Sequence, residues 1–265
     1  LHARTHALTG LIWLALAAGV LANGGEKFPF HIGEKLTYQM FWGPFIVGRA
    51  VLEVAGIEAV DGHDCYHIVA QVRTSGIAEM LFPVRTKAES WLDVAGLFSR
   101  RYRQDHSENK RHRLDETLFD YKHNRLLNTN LLTGKAYQIG LNAPAQDVIS
   151  ALYFARTQPL ALDAETSFLV NASKTNYTVS FCPDTRKKIW ARATGDTPAL
   201  RVEPKPTLPI VAANKGRMWV WVSDDFRRLP LLVVSDTKIG SAKLVLHQAE
   251  HTNPMFPGPA PSRRR

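Results

Sequence analysis

A period of two runs through most of this chain, and it limits the fold more than any other feature. In EKLTYQMFW, Leu36, Tyr38, Met40 and Trp42 fall on one side, while Lys35, Thr37 and Gln39 fall on the other. After the turn at Gly43-Pro44, Ile46, Gly48, Ala50, Leu52 and Val54 alternate against Arg49 and Glu53. The pattern returns in CYHIVAQV, through Tyr66, Ile68, Ala70 and Val72. It returns again in VRTKAESWLDV, where Val84, Ala88, Leu92 and Val94 oppose Arg85, Lys87, Glu89 and Asp93. A strand with one buried and one wetted face requires this alternation.

Turn-forming residues separate the runs: Asp61-Gly62, Lys122-His123-Asn124, Thr133-Gly134, Pro183-Asp184, Pro204-Lys205-Pro206 and Asn214-Lys215-Gly216. They divide the chain into about fourteen strands. Connections this short join antiparallel neighbours, because a parallel crossover needs about a dozen residues or more. No fixed-period repeat is present, which argues against a propeller or solenoid. The expected fold is all-β, a long antiparallel meander curled into a half-open barrel or spiral. One helix, at about 144–156, is expected at its mouth. Its segment NAPAQDVISALYFARTQPL opens with Asn142 and Pro144, places Asp147 in the first turn and ends at Arg156 before Pro159. Val148, Leu152 and Ala155, with Ile149 and Tyr153 beside them, give it a broad apolar stripe.

Residues 1–22 read as a cleaved secretory leader. His2, Arg4 and His6 precede the uncharged run LIWLALAAGVLA, which is too short for the ~20 residues of a bilayer span. The expected layout is that leader, one β domain over 23–252 and a disordered Pro/Arg tail over 253–265, with the mature protein in the periplasm. The formal charge is +9, three units of it from the terminal arginines. On an exported protein such a charge favours anionic envelope surfaces, lipid headgroups or acidic glycans, and not nucleic acid. Cys65 and Cys182 are enough for one disulfide in an oxidising compartment, though nothing in the sequence pairs them.

Three segments hold residue types suited to chemistry. In VWVSDDFRRLPLLVV, Asp224 and Asp225 lie between two apolar runs, and Pro230 suits a strand start, so 224–228 reads as a hairpin turn. Adjacent residues on an extended chain point to opposite faces, which argues against a catalytic acid pair. In DGHDCYH, Asp61, His63, Cys65 and His67 share parity and have the residue types of zinc ligands. Side chains two apart stand ~6.6–7 Å from each other on a flat strand, so four cannot reach one ion, and a solvated face opposite Tyr66 and Ile68 is expected instead. The basic stretch SRRYRQDHSENKRHR, with Arg100, Arg101, Arg103, Lys110, Arg111 and Arg113, reads as two strand ends around a polar loop at 106–109. Its cations are also a candidate for anion contact. No G-x-S-x-G or H-E-x-x-H motif occurs, and Ser150 falls on the expected helix. No catalytic residue, metal ligand or cofactor is therefore expected. Aromatic residues on strands are mostly core. Tyr38, Trp42, Trp91, Tyr153 and Trp221 are nevertheless the candidates to line an apolar cavity inside a curled sheet.

Three ordered phrases carry a resemblance: FHIGEKLTYQMFWGPFIVGRAVLEV, QDVISALYFARTQPL and VWVSDDFRRLPLLVVSDTKIGSAKLVL. Together they resemble the bacterial exported family known as domain of unknown function 3108, over roughly residues 28–249. The resemblance implies export and supplies no activity, so it transfers no catalytic residue. Its pattern matches Gly33, Glu34, Tyr38, Gly48, Arg156, Trp221, Asp224, Asp225, Pro230 and Gly240, all of which look architectural. The closing phrase is also similar, more weakly, to lipoprotein-carrier half-barrels. The expected function is a non-enzymatic envelope protein that binds a lipid-like or lipoprotein-like ligand or an envelope protein partner. The alternatives are a structural envelope-integrity factor with a filled core and a hydrolase of an envelope polymer.

Overall fold

The computed structural model describes residues 28–172, 174–207, 217–237 and 240–253. The leader at 1–22, the turn at Asn214-Lys215-Gly216 and nearly all of the tail fall outside them. The first half of the chain forms β1 (Lys35–Trp42), β2 (Phe45–Val60), β3 (His63–Thr74), a short helix α1 (Ile77–Leu81), β4 (Val84–Asp93), β5 (Ser99–Glu108), β6 (Arg111–Asp120), β7 (Arg125–Asn130) and β8 (Ala136–Gly140). The second half forms β9 (Ala145–Gln146), helix α2 (Ser150–Thr157), β10 (Thr166–Ala172), β11 (Thr175–Phe181), β12 (Pro183–Ala191), β13 (Gly195–Val202), β14 (Lys205–Pro206), β15 (Arg217–Ser223), β16 (Pro230–Thr237) and β17 (Gly240–Glu250).

Thirteen strands make one antiparallel sheet, in the order β12-β13-β15-β16-β17-β1-β2-β3-β4-β5-β6-β7-β8. It does not close: β12 and β8 are its two edges. A second sheet, β14-β11-β10-β9, contains a parallel contact that sets Leu169-Val170 against Ala145-Gln146. The all-β expectation holds. The strand count is seventeen among the described residues, and the excess includes the two-residue β9 and β14.

Alternation places Leu36, Tyr38, Ala50, Val54, Ile68, Ala88 and Leu92 in the buried interior. Register shifts at Thr37/Tyr38, Met40/Phe41, Val54/Gly56, Trp91/Leu92 and Trp221/Val222 interrupt the ladders. Each such bulge adds local bend and twist, which is how a long ribbon curls. Gly48 marks a tight approach between β2 and β3: a Cβ there would lie 2.4 Å from the Arg73 carbonyl oxygen.

Two expectations need correction. The helix runs over Ser150–Thr157 and not 144–156. Ala145 and Gln146 are taken by β10, and the Asp147 carboxylate accepts the N–H groups of Ile149 and Ser150 at 2.7 and 2.9 Å, so the helix begins after it. With Ser150, Tyr153 and Arg156 buried, α2 packs into the curl and does not merely cover its mouth. Pro183-Asp184 opens β12 and forms no turn. Cys65 and Cys182 are both free thiols. Cys65 is buried, and burial, helped by the nearby Asp93 carboxylate, pushes its pKa up to about 11. A neutral aromatic disulfide reagent should therefore titrate one thiol per native chain, Cys182, and two after unfolding in guanidinium. Fast labelling of both in the native state would contradict this burial.

Candidate functional site

The interior is organised by one buried ion pair. Gly33, at φ +90°, turns the chain so that its N–H reaches the Val54 carbonyl at 2.8 Å, and the next residue, Glu34, points inward fully buried. Arg156, in the last turn of α2, meets it with two parallel bonds, Nη1 to Oε1 at 2.6 Å and Nη2 to Oε2 at 2.8 Å. Nη2 also donates to the carbonyls of Pro29 and Arg227, each at 3.0 Å. Burial alone would favour neutral arginine, but the Glu34 carboxylate outweighs it and raises the Arg156 pKa.

The β15–β16 turn is built to reach this pair. Asp225 accepts from the Ser223 hydroxyl at 2.9 Å, the Arg227 N–H at 3.0 Å and the Arg227 guanidinium at 2.7 Å. Arg228 then donates to the carbonyls of Arg156, at 2.8 Å, and Gln158. Asp224 turns the other way, to Arg186 at 2.8 Å. The two acids thus diverge, as hairpin residues do, and the family-pattern residues Glu34, Arg156 and Asp225 converge on one structural knot. Tyr38 and Tyr153 border it. Burial raises both phenol pKa values; the Glu34 charge adds to the rise at Tyr153, while at Tyr38 the Arg156 charge offsets part of it. Among the described residues, Tyr38 Oη, Tyr153 Oη and Arg156 Nε are buried without a protein hydrogen-bond partner.

Next to the knot lies an apolar slot of about 280 Å³ between α2, the small sheet and strands β13 and β15. Leu152, Ala155, Phe168, Val179, Val202 and Val220 are among its walls. Among the described residues that line it, only Tyr177 and Arg156 carry a hydroxyl or a charge, and Arg156 is already committed to Glu34. A larger trough of about 630 Å³ crosses the polar face of β1 to β5, lined by Lys35, Arg49, Glu53, Arg73, Arg85 and Lys87 among others. Several of these charges pair with neighbours, Lys35 with Glu53 and Lys87 with Glu89, both at 2.9 Å. That trough is a wet surface channel. The slot is the better candidate for an apolar ligand.

The five residues expected to line a cavity are spread over the core, the polar face and a strand end. Tyr38 and Trp221 belong to the same packed core cluster, and Tyr153 belongs to the adjoining one. Trp91 lies on the polar face, its ring stacked on His67 at 4.8 Å and topped by Arg101 at 4.8 Å, with its indole N–H on Glu58 at 2.7 Å. Trp42 ends β1 half-exposed, packed on Gly240. The DGHDCYH face is also drier than expected. Cys65 is buried, and His67 is held between Glu58 and Glu89 at 2.9 and 3.2 Å. Among the described residues, no group of three or more metal-ligating side chains is present. In the basic stretch, Arg100, Arg101 and Arg113 are engaged with Asp93, Glu116 and Asp115.

The fold recurs in a solved structure. A beta-barrel-like protein of the DUF1849 group from Brucella abortus superposes with a TM-score of 0.57 at 9% identity, covering 85% of this chain and 98% of that chain. That likeness shows a shared barrel-like fold. Two others match with lower scores. A candidate exported protein with a YmcC-like fold from Bacteroides fragilis has a TM-score of 0.33 at 11% identity, covering 84% of this chain and 98% of its own. A candidate lipoprotein from Parabacteroides distasonis has 0.32 at 10% identity, with the same coverage of 84% and 98%. Among curated proteins nothing matches significantly. A family model described as a protein of unknown function, DUF3108, matches residues 37–247, and the chain belongs to that family.

Proposed function

We propose that this is a non-enzymatic periplasmic protein of the bacterial envelope that holds the hydrocarbon part of an amphipathic ligand in the slot beside α2. The observation that carries the reading is the near-absence of polar groups around a cavity of about 280 Å³. Hydrocarbon walls recognise hydrocarbon, and small-molecule pockets usually span about 300–1,000 Å³. At its size the slot suits one slender acyl chain, with any headgroup left outside. It also offers no group suited to base catalysis. The Tyr177 hydroxyl is held protonated by burial, which raises its pKa, and Arg156 stays cationic.

Native mass spectrometry of protein purified from a periplasm should show a bound lipid or fatty-acid mass. Oleate added to delipidated protein should bind as one equivalent. Val220→Trp, which fills the slot from β15, should reduce oleate binding by roughly tenfold or more while the fold is kept, because the ligand's burial is what is lost. Wild-type protein that neither carries a lipid nor takes up oleate would favour the rival reading, an envelope-integrity factor whose core serves packing alone.

A further inference from the structure

Antiparallel pairing decides which turns share an end of the sheet. The connections after β1, β3, β5 and β7 all emerge at one end, and those after β2, β4 and β6 at the other. The second set is polar. Each opens on or beside an aspartate, Asp61, Asp93 or Asp120, and none presents a large exposed apolar side chain. The first set is different. Phe45 and Ile46 after β1, and Ile77, Met80, Leu81 and Phe82 after β3, are 54% to 84% exposed. These two groups adjoin, since the Ser75 N–H bonds the Val47 carbonyl at 3.0 Å and α1 packs beside β2 and β3.

Helix α1 is inside-out. It buries none of its residues. Its one charged member, Glu79, turns back to the sheet and is clamped by the Thr74 hydroxyl at 2.6 Å and by Arg85 at 2.8 Å. Thr74 in turn accepts the Val84 N–H at 2.9 Å. The polar face is thus fastened down and the apolar residues are held outward, the reverse of an ordinary surface helix. Behind them lies a row of like charges. Arg49 pairs in register with Arg73, and Arg73 with Arg85, across three adjacent strands. Like charges directly opposite one another destabilise a sheet, so the row carries a cost in the free protein. Arg85 meets Glu79 and Arg49 touches the Thr37 hydroxyl at 3.4 Å, but Arg73 has no acidic group within ion-pair distance among the described residues. Lys110 and Arg111 occupy the next turn at the same end.

We propose that this end docks on an anionic phospholipid bilayer, with the side chains of Phe45, Ile46, Ile77, Met80, Leu81 and Phe82 entering the interface and the Arg49–Arg73–Arg85 row meeting lipid phosphates. Exposed apolar anchors backed by cations are what such a surface binds, through apolar burial plus electrostatic attraction. The inference is independent of the slot reading, though Pro204 and Met218, in the slot's wall, lie toward the same end.

The test is co-sedimentation of the purified protein with vesicles of phosphatidylethanolamine and phosphatidylglycerol, compared with vesicles of phosphatidylcholine, at low and high salt. The protein should bind the anionic vesicles and be partly released by salt. Met80→Ser with Phe82→Ser, and separately Arg73→Ser, should each weaken binding by roughly tenfold or more without lowering the unfolding midpoint, since the replaced side chains are exposed and Arg73 stands among like charges. Val220→Trp should leave vesicle binding intact. Failure of the wild type to bind anionic vesicles, or full binding by the Met80/Phe82 variant, would overturn the proposal. So would a concentration-dependent dimer that the same variant abolishes, because the patch would then be covered by a second copy.

Discussion

Replacing Arg156 with Met is expected to cost about 3–5 kcal/mol of folding stability, the usual range when one partner of a buried ion pair is removed. The substitution strands a fully buried Glu34 carboxylate and withdraws the donor from the Pro29 and Arg227 carbonyls. Three separate parts of the chain lose their common tie: the entry to β1, the end of α2 and the β15–β16 turn. A domain of ordinary stability holds about 5–15 kcal/mol in total, so the variant should be close to unfolding at 37 °C. Replacing both partners, Glu34→Met with Arg156→Met, should recover most of the loss, because a buried pair owes much of its own attraction to offsetting desolvation. Urea midpoints followed by tryptophan fluorescence measure both. A single Arg156→Met variant within 1 kcal/mol of wild type would mean that the pair tolerates its own disruption, contrary to its geometry.

Asp147→Ala should be the second most damaging change, at about 2–4 kcal/mol, combining a lost helix cap with orphaned buried donors. The Asp147 carboxylate accepts from the Ser90 and Ser99 hydroxyls at 2.6 and 2.5 Å as well as from the Ile149 and Ser150 N–H groups. The Ser150 hydroxyl completes the exchange on the Asp147 N–H at 2.8 Å. One side chain therefore joins β4 and β5 to the start of α2. Its pKa is raised, because burial outweighs the four bonds that pull it down. A raised folded value means that the folded state holds the proton more tightly than the unfolded chain does. The stabilisation is then complete below the unfolded value of about 3.9 and is lost as pH rises through the folded one. Asp147→Asn, which cannot titrate, should gain on wild type between about pH 4 and neutrality. Urea midpoints at both ends of that window decide it. A gap between the two proteins that stays constant with pH would rule out the raised value.

Much of the architecture was legible because period two is a local signal. Leu36, Tyr38, Ala50, Val54, Ile68 and Leu92 declare their buried side within a few residues of sequence, and turn residues such as Asp61-Gly62 mark the reversals. The helix start was misplaced because Pro144 and Asp147 are also what a capped entry after a short strand contains. Only the tertiary pairing of Ala145-Gln146 with Leu169-Val170 distinguishes the two. The ion pair was invisible because its members lie 122 residues apart, and Arg156 alone reads as a helix stop signal. The slot was missed for a similar reason. Leu152, Phe168, Val179 and Val220 come from a helix and three strands, and no one segment shows that a gap is left among them. Trp91 misled because aromatic character does not reveal which face a strand buries. A polar face can shelter an indole when His67 and Arg101 cover its two sides.

The incomplete closure of the main sheet leaves β12 without a second neighbouring strand among the described residues, and a free edge is a template on which another chain can grow. This strand carries Arg186, Lys187 and Lys188 in succession, all exposed, and it also presents Trp190 to solvent. A second β12 laid antiparallel alongside and centred on Lys187 would set cation against cation at its three middle positions. The charges therefore act as a guard, allowing a greasy open ribbon to remain a discrete particle and not the first rung of a fibre.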